Sequence, residues 1–163
     1  MPEAAERAEL GRLFMTAEVL RESVYHAYRA RLGVFLAIPI DASDLAIHQL
    51  IEAGFLAARV KELCDRGTLS TAGREQIIRL KTLKKRLANG QRLSVSQSDR
   101  LFRVVHITAM AEVLFESDEK ARRWLSTPKT HFSGRSPIAM LSTSPGTRQV
   151  EEMLIQFAEG LVF

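Results

Sequence analysis

The 163-residue sequence predicts an all-α protein, and three observations carry that prediction. Apolar residues recur at intervals of three and four along successive segments, the spacing that lines one face of a helix. Those segments begin with Ser or Asp and end with Gly or Asn-Gly, residues that satisfy the free N–H groups of a first turn and reverse the chain after a last one. Twice a serine precedes a proline, at Ser136-Pro137 and Ser144-Pro145. That pairing sets a cap before a residue whose missing N–H costs a first turn nothing.

Taken in order, Leu10, Leu13, Phe14, Ala17, Leu20, Val24 and Tyr28 form one stripe along a long first helix, with Gly33 as its expected stop. Such a helix packs either on its own domain or on its copy in a dimer. "VFLAIPID" follows as a partly buried connector, because Pro39 turns Ile38 away from helix. "DASDLAIHQLIEAG" starts a helix at Ser43 or Asp44 and stops it at Gly54; "FLAARVKELCDRG" is a second, closed by Gly67. Ser70 caps a third through Gln76, Ile77 and Ile78 form a buried turn, and "LKTLKKRLA" is a fourth short helix ending at Asn89-Gly90.

Two short helices joined tightly, the second studded with Lys81, Lys84, Lys85 and Arg86, are the arrangement of a helix-turn-helix. Leu80, Leu83 and Leu87 are expected in the core, and Lys81, Thr82, Lys84 and Lys85 outside. "SVSQSD" then starts a helix whose buried face is Leu101, Val104, Val105, Thr108, Ala111 and Leu114. "ESDEKARRWLSTP" sets Ala121, Trp124 and Leu125 on one face and stops at Pro128. Ser136 and Ser144 cap the last two helices; Val150, Met153, Leu154 and Phe157 stripe the final one, which Gly160 ends.

Length limits the chain to one moderate domain or two small ones. No run of eighteen apolar residues exists and the N-terminus lacks a signal-peptide core, so a cytoplasmic protein without a membrane partner is expected. Cys64 has no cysteine to pair with and falls at a helical apolar position, which reads as core. Charge is unevenly placed. Between Arg66 and Arg103 stand ten basic residues against Glu75 and Asp99, a formal +8, whereas the whole chain carries +4. Solvated helix faces mix signs, so this concentration points to a surface that meets phosphates. Arg100 and Arg103, three apart, either pair with acids such as Asp99 or Glu112 or contact a nucleic-acid backbone.

Catalysis would need converging ionisable groups. His26, His48, His106 and His131 are scattered, and no Gly-rich phosphate loop, nucleophile elbow or metal motif is present. Glu151 and Glu152 are adjacent on a helix and so do not face each other. No catalytic residue, metal or cofactor is expected. Trp124 reads as core, or in the minority case as interface; Arg122, Arg123, Lys129 and Arg135 are either a solvated rim or a match for an acidic partner.

From residue 94 to the end the sequence resembles the C-terminal domain of the MbcA/ParS/Xre antitoxins. The resemblance rests on Ser98-Asp99-Arg100-Leu101 with Arg103, Ala111 with Val113 and Phe115, Ala121 with Trp124-Leu125, Gly134 with Ser136-Pro137, and Gly146 with Val150 and Gly160. Upstream, "IIRLKTLKKRLANGQRLS" is similar to the family's recognition-helix region through Thr82, Leu83 and Arg86, so the likeness runs from about Asp44 onward.

The resemblance implies an antitoxin of a two-gene bacterial module, paired with a RES-domain toxin that consumes NAD by hydrolysis or phosphorolysis or by ADP-ribosylating a protein. It implies an Xre-like helix-turn-helix domain at 41–105 and a toxin-binding domain at 106–163; residues 1–40, outside the likeness, are read from their apolar stripe as an N-terminal helical extension. Arg79, Lys81, Thr82, Lys84, Lys85 and Arg86 would meet operator DNA, and the protein, a homodimer by default, would repress its own operon. Arg135 and the tail Glu159, Gly160, Leu161, Val162 and Phe163 would meet the toxin, the three apolar terminal residues being suited to its cleft. Two departures stand out in the helix-turn-helix: Ile77 replaces the small residue usual before Ile78, and Arg79 replaces a capping Ser, a loss of about 1 kcal/mol. A helix-turn-helix regulator with no toxin partner is the alternative reading.

Overall fold

The computed structural model describes residues 22–160, all of whose regular elements are helical. Helix α1 covers 22–36 of the described chain; the stripe residues before it, and the tail 161–163, lie outside the described residues. Eight helices follow: α2 (Asp44–Ala53), α3 (Ala57–Asp65), α4 (Thr71–Ile77), α5 (Leu80–Ala88), α6 (Val95–Phe115), α7 (Asp118–Ser126), α8 (Pro137–Met140) and α9 (Ser144–Ala158). A single 3-10 turn, Thr130–Phe132, stands between α7 and α8.

Gly33 does not end α1. The helix runs three residues further, burying Phe35 and Leu36, and reverses at Ala37, which takes a positive φ of 56°. The returning chain lays the Ile38 carbonyl so close to Gly33 that a Cβ would sit 3.3 Å from its oxygen. Ile38 itself is buried, as the connector reading expected.

The reversal is held by Arg29, a cation with little exposure. Its guanidinium donates to the carbonyls of Ile40 (3.0 Å), Pro39 (3.2 Å) and Ala42 (2.5 Å), so a turn with few backbone bonds of its own is satisfied by one side chain.

Caps fall where the sequence placed them in most cases. Ser43, Ser70, Ser94 and Ser136 each accept from the backbone N–H three residues on, and Ser94 with Gln97 completes a reciprocal capping box. At α9 the cap is Thr143 rather than Ser144, which becomes the first helical residue. α3 starts at Ala57, leaving Phe55 and Leu56 outside it. The reason is a short antiparallel bridge: Leu56 pairs with Arg92, and Leu93 N–H donates to the Phe55 carbonyl at 2.8 Å. Gly54 makes that approach possible, since a Cβ there would lie 2.5 Å from the Leu93 oxygen and its φ is +83°.

Helix α6 is the axis of the molecule. Its 21 residues span about 31 Å, and it packs against α2, α4, α7 and α9, while α3 packs with α4 and α5, and α8 with α4, α7 and α9. Leu101, Val104, Val105, Ile107, Ala109 and Ala111 are buried along it. The Ser98 hydroxyl, fully buried, accepts from Phe55 N–H and ties the start of α6 to the turn between α2 and α3. α9 sends Val150 and Leu154 into the same core, and Gly146 lets its first turn abut α8, since a Cβ would meet the Met140 oxygen at 2.0 Å. No described helix is long and apolar enough to cross a membrane.

Candidate functional site

Two surfaces gather the candidate residues. The first is α5. Ile77, the last residue of α4, and Ile78, the first of the two residues that join α4 to α5, are both buried, and Leu83 is buried beneath the second helix. Leu80 is 46% exposed, contrary to expectation, because the joint isoleucines already fill the core beneath the start of α5. Leu87 is half-buried.

Along the outer face the helical repeat sets Leu80, Lys84, Ala88, Lys81 and Lys85 side by side, and all five are exposed. Arg79 is exposed at the start of α5, where it provides no side-chain cap. No ion pair among the described residues engages Arg79, Lys81, Lys84 or Lys85, whereas the basic residues of α3 pair locally, Arg59 with Glu62 and Lys61 with Asp65. Thr82 is half-buried on the flank. Arg86 is also half-buried and donates to the Arg92 carbonyl at 2.9 Å; Arg92 in turn donates to the Gly54 carbonyl at 2.8 Å. These two arginines therefore brace the loop after α5. Of the pair on α6, Arg103 meets Asp99 at 3.3 Å with its side chain mostly buried, while Arg100 stays exposed.

The second surface is the C-terminal third. Arg135 is exposed beside a tight loop in which Lys129 N–H donates to the Arg135 carbonyl at 3.0 Å, with Ser133 and Gly134 both at positive φ. Glu159 and Gly160 are exposed at the end of α9, and Leu161, Val162 and Phe163 lie outside the described residues. Near that end stands a half-open aromatic cluster not anticipated from the sequence. Phe115 packs between Trp124 (5.7 Å between ring centres) and Phe157 (4.9 Å), Lys129 lies 5.3 Å over the Trp124 ring, and Phe157 is 42% exposed. Trp124 is thus neither fully core nor free.

Polar contacts across long separations complete this half. His106 on α6 hydrogen-bonds through Nδ1 with the Tyr28 hydroxyl (2.5 Å) and through Nε2 with the Glu151 carboxylate on α9 (3.2 Å), with Phe102 stacked on its ring. This hydrogen bond holds the Glu151 carboxyl below the ordinary carboxylate range, and burial pushes the Tyr28 hydroxyl up. Arg31 on α1 reaches Glu112 (2.5 Å) and Asp118 (3.4 Å); burial raises the Glu112 carboxyl despite that partner. Burial likewise raises the half-buried Cys64 thiol, away from the reactive thiolate form. His48 lies on the surface against Glu52.

The sequence itself decides the family. A protein described as Antitoxin Xre in Pseudomonas putida is 56% identical over 146 residues, covering 90% of this chain and 92% of that protein. The chain belongs to the Xre/MbcA/ParS antitoxin family. A second Antitoxin Xre, from Yersinia enterocolitica, is 30% identical over 82 residues, half of this chain and 55% of that one. The family model for the antitoxin Xre/MbcA/ParS C-terminal toxin-binding domain matches residues 110–160, which hold the aromatic cluster, the Arg135 loop and the whole of α9.

Proposed function

We propose that this chain is the antitoxin of a type II toxin–antitoxin module, that it neutralises a RES-domain NAD-consuming toxin by covering its active site, and that it represses its own operon as a DNA-binding homodimer. The 56% identity to an Antitoxin Xre over nine-tenths of both chains carries the antitoxin part. The match of residues 110–160 to a toxin-binding domain supports toxin contact through the C-terminal third.

In this reading residues 1–40 are a helical extension, 41–105 the DNA-binding domain and 106–163 the toxin-binding domain. Arg135 and Glu159–Gly160 border the toxin, and Leu161, Val162 and Phe163 insert into its cleft. The DNA part is supported by exposed cations without ion pairs among the described residues, Lys81, Lys84 and Lys85 on the outer face of a second, tightly joined helix and Arg79 just before it, with Thr82 on the flank. Arg86 contributes by fixing the loop behind α5. Inhibition by occlusion requires no catalytic residue or cofactor in this chain.

The test is co-expression of the reading frame beside this gene. Growth arrest by that product alone, relief by this chain and joint purification are expected; a harmless neighbour that does not co-purify would leave a DNA-binding regulator without a toxin. For DNA, the logarithm of affinity should fall linearly with that of salt, by about 0.9 for each phosphate contact. Replacing Lys81, Lys84 and Lys85 by Ala should flatten that slope, and an unchanged slope would remove them from the interface.

A further inference from the structure

We propose that Leu80 reads sequence: its side chain packs on the C5-methyl group of a thymine in the DNA major groove. The inference rests on the DNA-binding reading above and assigns one residue and one base to it.

Leu80 is the first residue of α5, and it is the one large apolar side chain exposed between residues 57 and 94. The core does not require it there, since Ile77, Ile78 and Leu83 are buried at 1%, 4% and 4% exposure beside it. Its neighbours are cations of a single sign. Arg79 precedes it, Lys84 lies one turn along the same face and Lys81 lies next to that, all exposed and none in an ion pair among the described residues.

A protein partner for one leucine ringed by positive charge would need an acidic surface with an apolar centre. The major groove offers that pattern on every turn, with phosphates along its edges and, on its floor, the thymine methyl as the apolar group. In a helix-turn-helix the N-terminal residues of the second helix are those that reach base edges, which is where Leu80 stands. The lysines then supply affinity through phosphates and base acceptors, while Leu80 supplies discrimination.

The experiment uses the full chain and a pool of randomised duplex DNA. After selection, each thymine of the enriched duplex is replaced in turn by deoxyuridine, which removes only the methyl group. At one thymine the wild type should lose about fourfold in affinity, the worth of one buried methyl. Leu80→Ala should bind the selected duplex at least that much more weakly and no longer distinguish thymine from deoxyuridine at that position. Its salt slope should be unchanged, because no charge is removed, and its melting temperature should fall only slightly, because the side chain is already 46% exposed in the free protein. Enrichment of a sequence in which every deoxyuridine is tolerated, or a Leu80→Ala chain that still makes the distinction, would overturn the proposal while leaving DNA binding intact. Failure of the wild type to enrich any sequence would instead remove specific DNA binding, and this inference with it.

Discussion

His106 joins three helices through one ring, and its contacts have a measurable consequence. Glu151 is held below its ordinary range by the hydrogen bond from Nε2, so the folded state favours its ionised form more than the unfolded state does. That contribution is full above the unfolded pKa and is lost as pH falls through the lower folded value. Glu151→Gln should therefore destabilise the protein at neutral pH, by under about 1 kcal/mol because the side chain is 37% exposed and screened. The gap between wild type and variant in urea midpoint should narrow and close as pH falls below the ordinary glutamate range; a gap that persists in strong acid would deny the ionic origin. Leu154, with no exposed surface, belongs to a different class. Leu154→Ala should cost about 2–5 kcal/mol through lost burial and a cavity, read as a large fall in the same midpoint. The apolar stripe of α9 made Leu154 legible in the sequence. The partners of His106 were not, because Tyr28 is 78 residues away and Glu151 is 45, and spacing reports only neighbours on the same helix. Arg29, reaching carbonyls beyond the end of its own helix, escaped for the same reason.

At the scale of elements, starts and stops were the most legible features, since a cap bonds only three residues ahead. Ser43, Ser70, Ser94 and Ser136 act as their positions suggest. Ser144 failed because Thr143, one residue earlier, offers the same chemistry, and Gly33 failed because its lack of a side chain serves the Ile38 carbonyl rather than a helix end. Leu80 was misplaced by periodicity: the 80, 83, 87 spacing is helical, but the joint isoleucines fill the space that would have buried it. α5 does begin without a side-chain cap, as Arg79 predicted. Arg79→Ser should supply one, raising stability by about 1 kcal/mol in thermal or urea unfolding, while weakening DNA binding through the loss of a cation. Gain in both, or loss in both, would separate this residue from the trade between helix start and phosphate contact.

For the whole molecule, the all-helical architecture was readable throughout, whereas the aromatic cluster of Phe115, Trp124 and Phe157 was not. Its members come from α6, α7 and α9 and meet only when those helices pack. The cluster and the Arg135 loop share the segment that matches the family's toxin-binding domain, and the basic face of α5 lies outside it. One chain thus carries two separate surfaces, for two partners in the reading proposed. The most direct test of that reading is cellular NAD after induction of the neighbouring reading frame alone, with this chain, and with this chain lacking residues 159–163. NAD should collapse in the first case, be restored by the full chain, and stay low with the shortened one. NAD that never falls would contradict the proposed toxin chemistry, and full restoration by the shortened chain would remove the tail from the toxin's active site.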